Sequence, residues 1–134
     1  MTLERFPFFG KMDAKAHDFL KTHLKPIDAP AGTLLFEEGD ICDGVLFINE
    51  GEIEVYKGSE EEKKVLYTIQ PGEQCIVNIA STISQSKAAA TAITLSDISG
   101  FLLDMYSLRE LAHNSFAYQE YIFSLYRLDF FDDE

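Results

Sequence analysis

The sequence predicts a mainly β domain with flanking helices, built as a jelly roll or small barrel. Three observations carry this. Across residues 26–103, short runs rich in Val, Ile, Phe and Tyr alternate with turns containing Gly or Pro at even spacing. Helical patterns lie before and after that region. The 134 residues, 46% hydrophobic, suffice for one buried core, and no repeat, linker or low-complexity segment divides them.

Residues 12–24, "MDAKAHDFLKTHL", place Ala16, Phe19, Leu20 and His23 at helical spacing. Asp13 is the predicted N-cap and Pro26 the stop. Strands follow at 33–36 (TLLF), 44–51 (GVLFINEG) and 51–58 (GEIEVYKG), the last two meeting at Gly51. Ile53 and Val55, spaced by Glu52 and Glu54, read as a half-buried strand. "EEEKK" (60–64) is a hairpin tip, and "VLYTI" (65–69) the return strand. "QPGE" (70–73) is a turn. "CIVNIA" (75–80), "AAATAIT" (88–94) and "ISGFLLD" (98–104) bring the expectation to about eight strands. Ser107, with Glu110, is the predicted cap of a helix over 108–114, and Ser115 that of one over 116–131. The domain expectation is therefore a single unit over 1–134, with its β-roll at 26–104.

The final helix is apolar nearly all round. A surface helix carries one apolar stripe, so this one needs cover on two sides. One side can rest on the roll. The other is expected to face a second copy of the chain through Tyr121, Phe123, Leu125 and Leu128, unless the helix is tucked wholly into its own core.

Charge and motifs exclude several function classes. Eleven bases against 23 acids give a net charge of −12, which argues against a nucleic-acid surface. Residues 37–62 hold ten acids and one base, Lys57, and read as a solvated acidic face. Cys42 and Cys75 are too few for a disulfide framework, so reduced thiols are expected. No signal peptide opens the chain and no apolar run reaches membrane-spanning length; a soluble, cytoplasmic protein is the expectation. No nucleophile-elbow, Walker or metalloprotease motif is present, and residues 26–104 contain no histidine for a metal enzyme of the cupin kind. Asp97 and Asp104 read as turn and helix-start residues. The chain is not expected to be an enzyme.

Gly32, Phe36, Gly39, Asp40, Leu46, Phe47, Ile48, Gly51, Glu52, Val55, Pro71, Gly72 and Glu73, in that order, carry a family resemblance. The chain resembles the N-terminal cyclic-nucleotide-binding domain of Crp/Fnr transcription regulators, from "FPFF" into the last helix. The resemblance implies a double-stranded β-helix (jelly roll) that senses a small effector and dimerises through its last helix. It implies DNA contact only through a helix-turn-helix domain that does not follow here, and no membrane partner. A stand-alone β-roll binding or scaffold module, its nucleotide site lost, is the alternative.

In nucleotide-binding members, a Gly–Glu pair and an arginine hold the ribose and the cyclic phosphate. Here the Gly–Glu positions fall on Ile76 and Val77, and the arginine position on Ser86, with Lys87 one place on. A lysine holds phosphate as a point charge with less geometric selection than arginine. The expected pocket residues are Lys87, Ser86, Thr91 and Cys75, with Ser84 able to assist. Cys75 also reads simply as a small buried hydrophobe. The effector is unassigned. Cyclic AMP or GMP lacks its anchors, and haem would find only His17, His23 and His113, none in the strand region. His17 and His23 are six apart, which is not a zinc-chelating spacing.

Overall fold

The structure, a computed structural model, describes the backbone of residues 3–132 and side chains through residue 126. Among these, seven strands form two antiparallel sheets. The first sheet has the order β1 (Lys25–Ala29), β7 (Ile98–Asp104), β3 (Gly44–Glu50). The second has the order β2 (Leu34–Phe36), β6 (Thr91–Thr94), β4 (Ile53–Lys57), β5 (Lys64–Ile69). Helix α1 (Ala14–His23) precedes the roll, α2 (Ile76–Ser84) interrupts it, and α3 (Met105–Asn114) and α4 (Phe116–Asp132) follow.

Two apolar cores explain the layering. One lies inside the roll and includes Phe36, Ile48, Ile53, Val55, Ile69, Ala90, Ala92 and Ile98. The other lies between the first sheet and the helices, and joins Phe6, Phe8, Leu20, Val45, Phe47, Leu103, Leu108, Leu111 and Tyr118. Strand β3 feeds both: Val45 and Phe47 face the helices while Ile48 faces the roll. Its apolar run has no polar alternation because both of its faces are covered.

The β3–β4 connection turns at Gly51, which has φ +95°; a Cβ there would press on the Asp97 carbonyl. Gly72, at φ +89°, leaves no room for one either, with the Arg5 carbonyl oxygen 2.7 Å from where it would sit. Only glycine meets both demands. Asp13 caps α1 as expected, accepting a hydrogen bond from Ala16 N–H. Ser115 Oγ likewise accepts from Tyr118 N–H at the start of α4.

Three expectations are corrected. Residues 75–80 are not a strand: α2 runs from Ile76 to Ser84. Helix α3 starts earlier than 108, and its cap is Asp104, which accepts from Ser107 N–H; Ser107 lies inside the helix. The first expected strand is 33–36, whereas residues 25–29 already form β1, paired along its length with β7. Among the described residues, no helix is long and apolar enough to cross a membrane.

Candidate functional site

The site is built around α2. Its sequence, IVNIASTIS, is rich in β-branched residues, yet Ile76 and Ile79 point into the helix-side core and Ile83 packs against it, the i, i+3, i+7 pattern of a helix face. The polar residues decide the matter, because they dock onto β3, an edge strand of the first sheet, and onto the loop that leads into it. Asn78 Oδ1 accepts from Leu46 N–H at 3.1 Å, and its Nδ2 donates to the Gly44 carbonyl at 2.9 Å. Thr82 Oγ1 donates to the same carbonyl at 3.1 Å, and Ser81 Oγ accepts from Cys42 N–H at 2.9 Å. Helix α2 thus satisfies an edge that would otherwise lie buried and unpaired. It ends at Gln85, left-handed at φ 53°, whose side-chain amide donates to the Cys42 and Thr82 carbonyls.

Just before α2 lies a junction the sequence reading missed. Gln74 is 3% exposed. Its backbone N–H donates to Tyr121 Oη at 3.0 Å, and its Oε1 accepts from Tyr118 Oη at 2.9 Å. Its Nε2 donates to the Leu46 carbonyl at 3.1 Å. One glutamine therefore ties α4 to β3 and to the start of α2. Burial pushes both tyrosine hydroxyls well above their ordinary pKa, so they stay protonated donors and acceptors. Phe8 packs on both rings, with centroids 5.0 Å from Tyr118 and 4.7 Å from Tyr121. The partners lie 44 and 47 residues apart, so no local pattern announces the junction.

The proposed pocket residues are dispersed. Ser86 and Lys87 lie exposed on the loop after α2. Ser86 Oγ is 2.6 Å from Ser84 Oγ, and the Lys87 backbone bridges Ile41. Thr91 is buried in β6, its Oγ1 accepting from Glu38 N–H at 2.8 Å. Cys75 sits at the opposite end of α2 from Ser86, buried, with its sulfur 3.5 Å from Tyr67 Oη. Burial raises its pKa and keeps it a thiol. The structure brings together Ser84, Ser86 and Lys87, and sets Cys75 and Thr91 apart from them. Where the family pattern has Gly–Glu, Ile76 packs into the helix-side core and Val77 against the roll interior. The cavity inside the roll, walled by Phe36, Ile48, Ile53, Gln74, Cys75 and Ala92 among others, measures about 10 Å³. That is room for roughly one water molecule.

On α4, Tyr118, Tyr121, Ile122 and Leu125 turn toward the chain's own core. Tyr121 is therefore an inward residue, its hydroxyl engaged with Gln74. Phe116, Phe123 and Tyr126 lie on the outer face, 69%, 76% and 50% exposed. The Leu128 side chain lies outside the described residues, as do those of Phe130 and Phe131. His17 and His23 stack on Phe9 and Phe19 and bond the carbonyls of the same residues. His113 is exposed at the end of α3.

A two-sheet roll interrupted by a helix between its fifth and sixth strands, with helices packed on one sheet, defines the cyclic-nucleotide-binding jelly roll. The family model described as "Cyclic nucleotide-binding domain" matches residues 26–115, and the chain belongs to that family. It is 28% identical over 120 residues to the Arabidopsis thaliana protein named cyclic nucleotide-gated ion channel 18, covering 83% of this chain and 17% of the channel. A solved structure from Eubacterium rectale, described as a Crp/Fnr-family transcriptional regulator, superposes with TM-score 0.81 at 18% identity, covering 96% of this chain and 60% of that one. The regulatory subunit of a cAMP-independent protein kinase A from Trypanosoma brucei superposes with TM-score 0.73 at 14% identity, covering 83% of this chain and 40% of that one. At these identities the structural likenesses establish the fold.

Proposed function

We propose that this chain is the effector-sensing and dimerisation domain of a Crp/Fnr-like transcriptional regulator, a binding rather than a catalytic unit, with DNA contact left to a domain outside this chain. The observation that carries the reading is the Gln74 junction. A ligand that moves the start of α2 must strain the bonds from Gln74 to Tyr118 and Tyr121, and so shift α4. The exposed stripe Phe116, Phe123 and Tyr126 supplies the face through which two α4 helices would pair. The mechanism is a population shift between α4 held by Gln74 and α4 released.

The effector in this reading is not a cyclic nucleotide of the usual kind. Ile76 and Val77 offer no carboxylate for a ribose, and the roll interior is filled. The Ser84–Ser86–Lys87 loop is the polar contact the domain would present to a ligand at the family position. The filled interior also supports a second reading, in which the roll is a ligand-free scaffold.

The test is hydrogen exchange at α4 amides. Tyr118→Phe, which removes the bond to Gln74 Oε1, is expected to raise α4 exchange at least fivefold while roll amides keep their protection. Unchanged α4 exchange removes the junction as the signalling element. Millimolar cyclic AMP and cyclic GMP are expected to leave the melting temperature unmoved; micromolar binding of either overturns the reading of a changed effector.

A further inference from the structure

The side of the roll between β1, β2 and the β2–β3 loop carries a cleft that the junction does not use. Its volume is about 380 Å³, within the range of pockets that hold small molecules, roughly 300–1,000 Å³. Ile27, Leu35, Leu46 and Leu102 give it apolar walls, and Asp40 and Asp43 stand among its lining residues. Ile41, 53% exposed, completes the rim. Among the described residues, no lysine, arginine or histidine lines it.

The two carboxylates are available. Asp40 Oδ2 accepts from Glu37 N–H at 2.9 Å, which leaves its other oxygen open. The Asp43 carboxylate has no hydrogen-bond or ion-pair partner among the described residues. Lys87 bridges Ile41 through its backbone but forms no ion pair with either aspartate. The inner end of the cleft is shared with the roll interior: Leu35, Phe36, Leu46 and Asn78 line both the cleft and the small cavity that Gln74 helps to wall.

We propose that this cleft binds a small organic ammonium ion with an apolar body. The hydrocarbon portion would lie between Leu35, Leu46 and Leu102, and the cationic head would meet Asp40 and Asp43. Apolar walls favour burial of the body; two carboxylates that form no ion pair among the described residues favour a cation and repel an anion. The volume admits one small molecule. Because the inner end reaches the cavity beside Gln74, an occupant here is placed to act on the α4 junction, and that extension rests on the sensor reading above.

The experiment titrates the whole chain with 2-phenylethylammonium, followed by amide chemical shifts, with 2-phenylethanol and phenylacetate as neutral and anionic matches. The amine is expected to perturb residues 40–44, Leu46 and Asn78, and to bind at least tenfold more tightly than the alcohol, with phenylacetate weaker still. Asp43→Asn, at an exposed position that leaves packing intact, is expected to weaken the amine about tenfold and leave the alcohol unchanged. Equal binding of the three probes, shifts centred elsewhere, no shifts, or full affinity in Asp43→Asn each overturn the site. Binding in the cleft without altered α4 exchange upholds the site and removes its link to the junction. Absence of binding, with the Tyr118→Phe effect intact, removes the site and leaves the junction standing.

Discussion

Asp104 marks the point where the last strand becomes a helix. Its carboxylate accepts from Ser107 N–H at 2.7 Å, and that bond, ahead of the other influences, holds its pKa below the usual value. The bond favours the ionised form, so its contribution is present above the unfolded pKa of about 3.9 and is lost as pH falls through the lower, folded value. Asp104→Ala is expected to cost about 1 kcal/mol at pH 7, and the gap between variant and parent should close as the pH drops below 4. Urea unfolding at pH 7 and pH 3 reads both. The residue was visible in sequence as a helix start, but Ser107 and Glu110 offered a competing capping box. The box lost because β7 runs straight into the helix, so the N–H groups without an intrahelical carbonyl begin at residue 105 and not three residues later; Met105 N–H donates to the Asp43 carbonyl and Ser107 N–H to Asp104.

Among the elements, α2 departs most from its sequence pattern. Across residues 75–80 the short β-branched run of Ile76, Val77 and Ile79 reads as a strand, and β-propensity is a statement about packing context more than backbone preference. The helical spacing emerges only when the window extends to Ile83. The remaining cause is tertiary: Asn78 and Thr82 complete the edge of β3 while Ser81 accepts from Cys42 N–H just before it, and a strand here could not present all three on one side. Asn78→Leu keeps the size but strips Leu46 N–H of its acceptor, and is expected to destabilise the domain by about 2 kcal/mol, read by equilibrium unfolding. A neutral outcome would mean that water or a shifted helix replaces the bond. The glycine turns, the β3–β4 meeting at Gly51 and the α1 cap were all legible, because each depends on a few neighbouring residues. The Gln74 junction was not, because its partners meet only in the folded chain.

At the scale of the whole molecule, α4 was rightly read as apolar on more than one side. Its inner residues close the helix-side core and its outer aromatics remain exposed. If the outer stripe pairs two chains, Phe123→Glu should convert a dimer to a monomer in sedimentation at micromolar concentration. Its stability cost should stay within about 0.5 kcal/mol, as for other surface substitutions. A parent chain that sediments as a monomer under the same conditions removes the dimer proposal.

The strand order has a consequence for time as well as shape. The middle strand of the first sheet, β7, is the last one made, so residue 25 waits for residue 102 before it finds its partner. Strands β1 and β3 are orphans during that interval, whereas the β4–β5 hairpin closes over a short loop as soon as Lys64 can reach Lys57. Long loops cost more entropy to close and are closed late. Stopped-flow refolding should therefore find that Val55→Ala, in the hairpin, slows folding, while Leu103→Ala, in β7, chiefly speeds unfolding. During synthesis the first sheet is expected to stay incomplete until its middle strand, the last one made, leaves the ribosome.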